Sequence, residues 1–184
     1  YGFNLPKFGD HIAWSESSAV AYANTVLGAR TNRQTAIVDI CCGILGKTPE
    51  TGMHLKENRY GEVLIQLKID REFKSWEYSA LGYLLGKKLG SKIGVVNGMK
   101  GNVKNENLKS LCAAAAASGS VTLLHIVGIT PEARSIEEAF GNNEIKEELI
   151  ITEEDLLNTR DDMCTVKEGK VDFVFSKSSS VIIS

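Results

Sequence analysis

The chain has 184 residues, 43% hydrophobic and 24% charged, the make-up of a globular protein with a sizeable core rather than of a disordered chain. Lys and Arg number 21 and Asp and Glu 23, a net charge of −2, so no basic excess points to nucleic acid or to an anionic membrane. The longest apolar stretch, Leu111 to Ile129, is broken by Ser118-Gly119-Ser120 and His125 and reads as helix, turn and strand rather than as a bilayer span.

The sequence opens on Tyr1 without a signal-peptide pattern, which reads as a piece of a longer protein. Cys41, Cys42, Cys112 and Cys164 are too few, and two of them too close, for a disulfide framework; a reducing, cytoplasmic setting is expected. The first third, residues 1–61, reads as helical and rich in polar loops. Ala19, Tyr22, Ala23, Val26 and Leu27 fall on one helical face, and Ile37, Ile40, Cys41, Ile44 and Leu45 on another. Gly28 and Gly46 close these two helices. By this spacing Cys41 is a small buried hydrophobe and Cys42 points away from the stripe.

From residue 62 to residue 184 strands and helices alternate. Val63 to Ile69 is a strand; Ser75 caps a helix carrying Leu81, Leu84, Leu85 and Leu89. A short strand spans Lys92 to Val96, and Leu108, Leu111, Cys112, Ala115 and Ala116 mark the next helix. Val121 to Val127 is a buried strand, with His125 a hydrogen-bonded core histidine. A short helix near Ser135 to Phe140, a strand over Glu148 to Ile151, a helix framed by Thr152 and Asp155, and a last strand over Val171 to Phe175 complete the pattern. This is an α/β chain with a mainly parallel sheet flanked by helices, which together with the first third can form one compact domain.

Three common motifs fail on physical grounds. Cys41 to Thr48 imitates a phosphate loop, but a helix precedes it and Pro49 blocks the helix that must follow. Gly94, Gly98 and Gly101 are misspaced for a dinucleotide fingerprint. Ser118-Gly119-Ser120 lies between a helix and a strand, the reverse of a nucleophile elbow. What remains are polar loops: Ser15-Glu16-Ser17-Ser18; Arg30-Thr31-Asn32-Arg33, whose guanidinium forks suit a carboxylate or phosphate; and His54 to Arg59, where His54 suits proton transfer or substrate contact.

The run Gly9-Asp10-His11-Ile12-Ala13-Trp14-Ser15-Glu16-Ser17-Ser18, followed by Ala23-Asn24-Thr25-Val26-Leu27-Gly28-Ala29-Arg30-Thr31-Asn32-Arg33, resembles the large-subunit region of the aconitase X family. Asp39-Ile40-Cys41, Gly46-Lys47-Thr48-Pro49, Gly52-Met53-His54-Leu55 and Glu57-Asn58-Arg59 continue the likeness. It implies an aconitase-like α/β fold and a hydro-lyase that dehydrates a small anionic hydroxy acid, either cis-3-hydroxy-L-proline or mevalonate 5-phosphate. The Asp39-Ile40-Cys41 variant leans toward the hydroxyproline type. The resemblance further implies an iron or iron–sulfur centre with Cys41 as a ligand, completed by cysteines outside this chain, and a small swivelling domain or subunit as partner. Ser17, Glu16 and His54 are then the candidate catalytic residues. Ser18, Asn24, Arg30, Thr31, Asn32, Arg33 and Arg59 are candidates for binding the substrate. On this basis the isolated chain is inactive, and the alternative is a non-catalytic domain or degenerate copy that binds an anion or a partner chain.

Overall fold

The computed structural model describes residues 4–164. The predicted strand over Val171 to Phe175 and the Ser176–Ser180 tail lie outside the described residues. Four parallel strands, β1 (Val63–Lys68), β2 (Gly94–Asn97), β3 (Leu124–Ile126) and β4 (Glu147–Thr152), form one sheet in the order β3-β2-β1-β4. Helices α3 (Ser75–Leu89) and α4 (Asn105–Ser118) make the two crossovers on one face. The chain then returns past α5 (Ile136–Phe140) to place β4 on the far side of β1, and α6 (Glu153–Met163) follows.

Alternation along the strands sorts the two faces. Val63, Ile65 and Leu67 of β1 enter the main core with Leu81, Leu85, Leu111 and Cys112 of α3 and α4 and Leu156 of α6. Leu64 and Val95 point the other way and meet Ala139 and Phe140 of α5. On that second face Asn97 Nδ2 donates to Gln66 Oε1 at 2.8 Å. Between β1 and β4 the strand order reverses, which is where open α/β sheets commonly bind ligands. That crevice is bridged by Arg71, which donates to both Glu77 carboxylate oxygens and to Glu153.

Ser75, expected to cap α3, is instead its first residue. The orphan amide of Lys74 is satisfied by the Glu77 carboxylate at 2.7 Å, which Arg71 holds in place. The predicted Val121 to Val127 strand shortens to Leu124–Ile126, although Val121 and Leu123 remain buried. Thr152 and Asp155 cap α6 reciprocally, as their spacing predicts.

The first third packs through α1 (Ser17–Tyr22), which continues into a wider π turn over Ala23–Leu27. α1 lies against α4, and Ala21 belongs to the main core. The predicted stripe of Ala19, Tyr22, Ala23, Val26 and Leu27 is corrected here: the fully covered residues are Val20, Ala21, Ala23, Asn24 and Thr25. The π turn changes the angular step per residue, so a 3.6-residue period carries the face wrongly past Tyr22. α2 (Ala36–Leu45) corrects a second expectation. Its apolar stripe faces outward, with Ile37, Ile40, Ile44 and Leu45 exposed, Cys41 exposed and Cys42 buried. Gly46 closes the helix in the left-handed conformation, as predicted.

Candidate functional site

Arg59 is the hub of the polar interior. Only 2% exposed, it donates from Nε to both oxygens of Glu132 at 3.0 and 3.1 Å, and its Nη2 pairs with the same carboxylate. Its Nη1 reaches Asn24 Oδ1 and the Met53 carbonyl, and its Nη2 the Asn24 carbonyl. Asn24 is equally committed: its amide donates to the Thr31 and Thr122 carbonyls, and its Oδ1 also accepts from the Thr31 amide. Arg59 and Asn24, expected at the substrate, are therefore placed as framework. A buried guanidinium is tolerable only when its donors are used in this way.

The other expected residues fall around this hub. Thr31 is buried, and its hydroxyl accepts from the Trp14 amide at 3.2 Å. Asn32 ties the Gly52 turn, donating to the Thr51 carbonyl and accepting from the Met53 amide at 2.7 Å. Arg33 is exposed and donates to the Gly119 carbonyl at 3.2 Å. Glu16 caps α1: its carboxylate accepts from the Ser18 and Ala19 amides at 3.0 and 2.8 Å and from the Ser18 hydroxyl. Partial burial pulls its pKa up, but these bonds, with one from Ser17, outweigh that and hold it below the usual carboxylate value. A carboxylate so held stays ionised at neutral pH. Ser15 is exposed beside it.

The structure adds a residue that sequence reading left in a loop. His11 Nδ1 meets His54 Nδ1 at 2.9 Å. The rings are near-parallel, with 9° between planes and centroids 5.1 Å apart. That separation is close to the Nδ1–Nδ1 distance plus the two ring radii, so the rings meet edge to edge along a hydrogen bond. The partners are 43 positions apart and are set by backbone. Residues 10–12 run beside Arg30, with the Arg30 amide donating to the Asp10 carbonyl and the Ile12 amide to the Arg30 carbonyl. Arg30 Nη1 in turn donates to the His54 carbonyl at 2.9 Å. His54 is 2% exposed, and among the described residues its buried Nε2 has no hydrogen-bond partner. Burial, then His11, Arg59 and Arg30, push its pKa down, so the imidazole is neutral at physiological pH. The pair opens on a cleft of about 370 Å³, lined by His11, Arg30, Thr48, Pro49, Glu50, His54, Leu55 and Lys56. His125, by contrast, is a core histidine as expected: its Nε2 is 2.7 Å from the Arg59 carbonyl, and burial lowers its pKa.

Cys112 is fully buried against α3, and burial pushes its thiol up to about 12, so it stays protonated at neutral pH. Cys41 is exposed on α2. Among the described residues no group of three His, Cys, Asp or Glu side chains could hold a metal ion, so these residues do not by themselves form an iron site. Among the described residues no helix is long and apolar enough to cross a membrane.

A family model described as the aconitase X first domain matches residues 1–57, and one described as the aconitase X second domain matches residues 61–161. The phosphomevalonate dehydratase large subunit of Thermococcus kodakarensis is 51% identical over 135 residues, 73% of this chain and 34% of that protein. The cis-3-hydroxy-L-proline dehydratase of Pseudomonas aeruginosa is 36% identical over 169 residues, 91% of this chain and 29% of that protein. The crystal structure of Thermococcus kodakaraensis aconitase X in its holo-form has a TM-score of 0.79 and 44% identity, covering 88% of this chain and 40% of that one. The chain thus spans about a third of the length of the curated relatives it matches. Two family models that together take in nearly all the described residues, and a parallel sheet shared with a solved member, place this chain in the aconitase X family.

Proposed function

We propose that the chain is part of a hydro-lyase that dehydrates a small anionic hydroxy acid, with mevalonate 5-phosphate the favoured substrate and cis-3-hydroxy-L-proline the second. The observation that carries this reading is the 51% identity to a phosphomevalonate dehydratase large subunit, against 36% to a hydroxyproline dehydratase. It weighs against the leaning that Asp39-Ile40-Cys41 suggests. Loss of water requires a base at the carbon beside the hydroxyl and a group that draws the hydroxyl away. Iron would supply the second as a Lewis acid. Cys41 is the ligand this chain would contribute, and the other cysteines would come from outside it.

In this reading the chain's own residues bind, orient and manage protons. Glu16 stays ionised at the start of α1, with Ser17 and Ser18 on its carboxylate. Arg30 presents a guanidinium beside the His11–His54 pair, and His54 remains neutral and able to hold a proton. Asn24, Thr31, Asn32 and Arg59 keep these loops in place, and Arg33 reaches outward. A small swivelling domain or subunit completes the enzyme, and the 184-residue chain alone does not turn over. The unbridged cysteines support a cytoplasmic setting.

The test is turnover of both compounds by the full-length protein, purified without oxygen together with its small subunit. Water loss from mevalonate 5-phosphate well above that from cis-3-hydroxy-L-proline is expected. Turnover of neither, by a preparation that contains iron, sinks the hydro-lyase reading and leaves an anion-binding domain.

A further inference from the structure

The histidine pair has a consequence for the cleft it opens on. With Nδ1 facing Nδ1, only one of the two nitrogens carries the hydrogen between them. If His11 donated it, the hydrogen of His54 would sit on Nε2, a buried N–H without an acceptor. If His54 donates it, Nε2 is a buried lone pair instead, and unpaired acceptors are tolerated in interiors more often than unpaired donors. His54 is therefore the donor, and His11 must carry its own hydrogen on Nε2. His11 is exposed and lines the cleft, so that N–H is a donor offered to whatever enters.

We propose that this cleft seats the phosphoryl group of the substrate, held by Arg30, Lys56, the Thr48 hydroxyl and the Nε2–H of His11, with His54 as the positioning residue that fixes this tautomer. The proposal rests on the dehydratase reading for its substrate, but its recognition chemistry is general. A phosphomonoester presents three acceptor oxygens and close to two negative charges, which suits a cleft of donors with two cationic side chains. The titratable and charged groups facing the pair are Arg30, Lys56 and Glu50 at the cleft, with Arg59 behind His54. Glu50 is the carboxylate of this set and opposes an anion. Its presence keeps the cleft from being a general sink for oxyanions and predicts the direction of its own variant. Cis-3-hydroxy-L-proline has a carboxylate with a single negative charge but no phosphoryl group, so inhibition by inorganic phosphate is expected to compete with mevalonate 5-phosphate more strongly than with cis-3-hydroxy-L-proline.

The experiment uses the full-length protein and two readouts. One is calorimetric binding of inorganic phosphate; the other is competition by phosphate against mevalonate 5-phosphate. Lys56→Met and His11→Phe are expected to weaken phosphate binding about tenfold or more, and to raise KM for mevalonate 5-phosphate with little change in kcat. His11→Gln, whose amide replaces the Nε2–H, should restore most of the affinity. His54→Asn, which keeps a donor toward His11, should bind phosphate better than His54→Phe. Glu50→Gln should bind it more tightly. Lys56 and His11 are exposed, so their variants test the cleft even if His54→Phe does not fold. Phosphate binding that none of these variants changes, or non-competitive inhibition, overturns the proposal. Phosphate bound in the cleft of a protein that dehydrates neither compound keeps the cleft and removes the dehydratase reading.

Discussion

At the scale of single residues, the distinction that matters is between polar groups that are used up and polar groups that are left over. Arg59 belongs to the first kind. Its five N–H donors go to Glu132, Asn24 and Met53, so it fixes loops rather than meeting solutes. Removing one member of a buried ion pair strands the other, at a cost of about 3–5 kcal/mol, and the low end applies because Glu132 is 18% exposed. Arg59→Met is thus expected to lower the thermal unfolding midpoint of the full-length protein markedly. Arg59→Lys should rescue little, because an ammonium cannot reproduce the planar fork. An unchanged midpoint in both variants would contradict the framework role. His54 belongs to the second kind: Nδ1 meets His11, but among the described residues its buried Nε2 has no hydrogen-bond partner.

At the scale of elements, α3 and α4 meet through small residues. Gly82 and Gly86 of α3 lie against Leu111, Ala114, Ala115 and Ser118 of α4. A Cβ on Gly86 would stand 2.6 Å from the Ala115 carbonyl oxygen and 3.0 Å from the Gly119 nitrogen. Both are backbone atoms and cannot swing aside. Gly86→Ala is expected to destabilise by about 1–3 kcal/mol, more than the roughly 1 kcal/mol that alanine gains in an ordinary helix. Gly43 of α2 offers the contrast, since none of the described residues comes within 4 Å of a Cβ built there. Gly43→Ala should therefore stabilise, by about 0.5–1 kcal/mol. Paired thermal melts read both signs, and a shift in the same direction for the two variants would sink the packing argument. Helix α2 as a whole keeps a single buried cysteine and exposes five large aliphatic side chains.

At the scale of the molecule, the loops of the first third and the sheet are tied together by long-range bonds. Asn24 reaches Thr122, Arg33 reaches Gly119, Thr25 accepts from the Leu124 amide, and Arg59 reaches Glu132. The candidate site therefore rests on the sheet even though no strand supplies the residues lining its cleft. The metal question also belongs to this scale, because the described residues bring no three ligands together. In the full-length protein purified without oxygen, Cys41→Ser is expected to remove most of the bound iron, while Cys112→Ser leaves the iron and lowers stability. Iron retained in full by Cys41→Ser would assign Cys41 no part in the centre.

Much of this was legible in the chain itself. Strand–helix alternation, the Thr152–Asp155 cap and the glycine stops report short-range physics, in which each residue's partners are within about four positions. The family resemblance was carried by the polar loops, where Asn24 bonds Thr31 and Arg59 and Asn32 ties down the Gly52 turn. What the sequence by itself determined was the fold class and the family. Tertiary structure alone decided which way α2 turns, because periodicity shows that Ile37, Ile40 and Ile44 share a face but not whether anything covers it. It alone decided that Arg59 is framework and that His11 meets His54, since both outcomes depend on contacts across 35 to 73 positions, and backbone pairing between residues 10–12 and Arg30 sets the second.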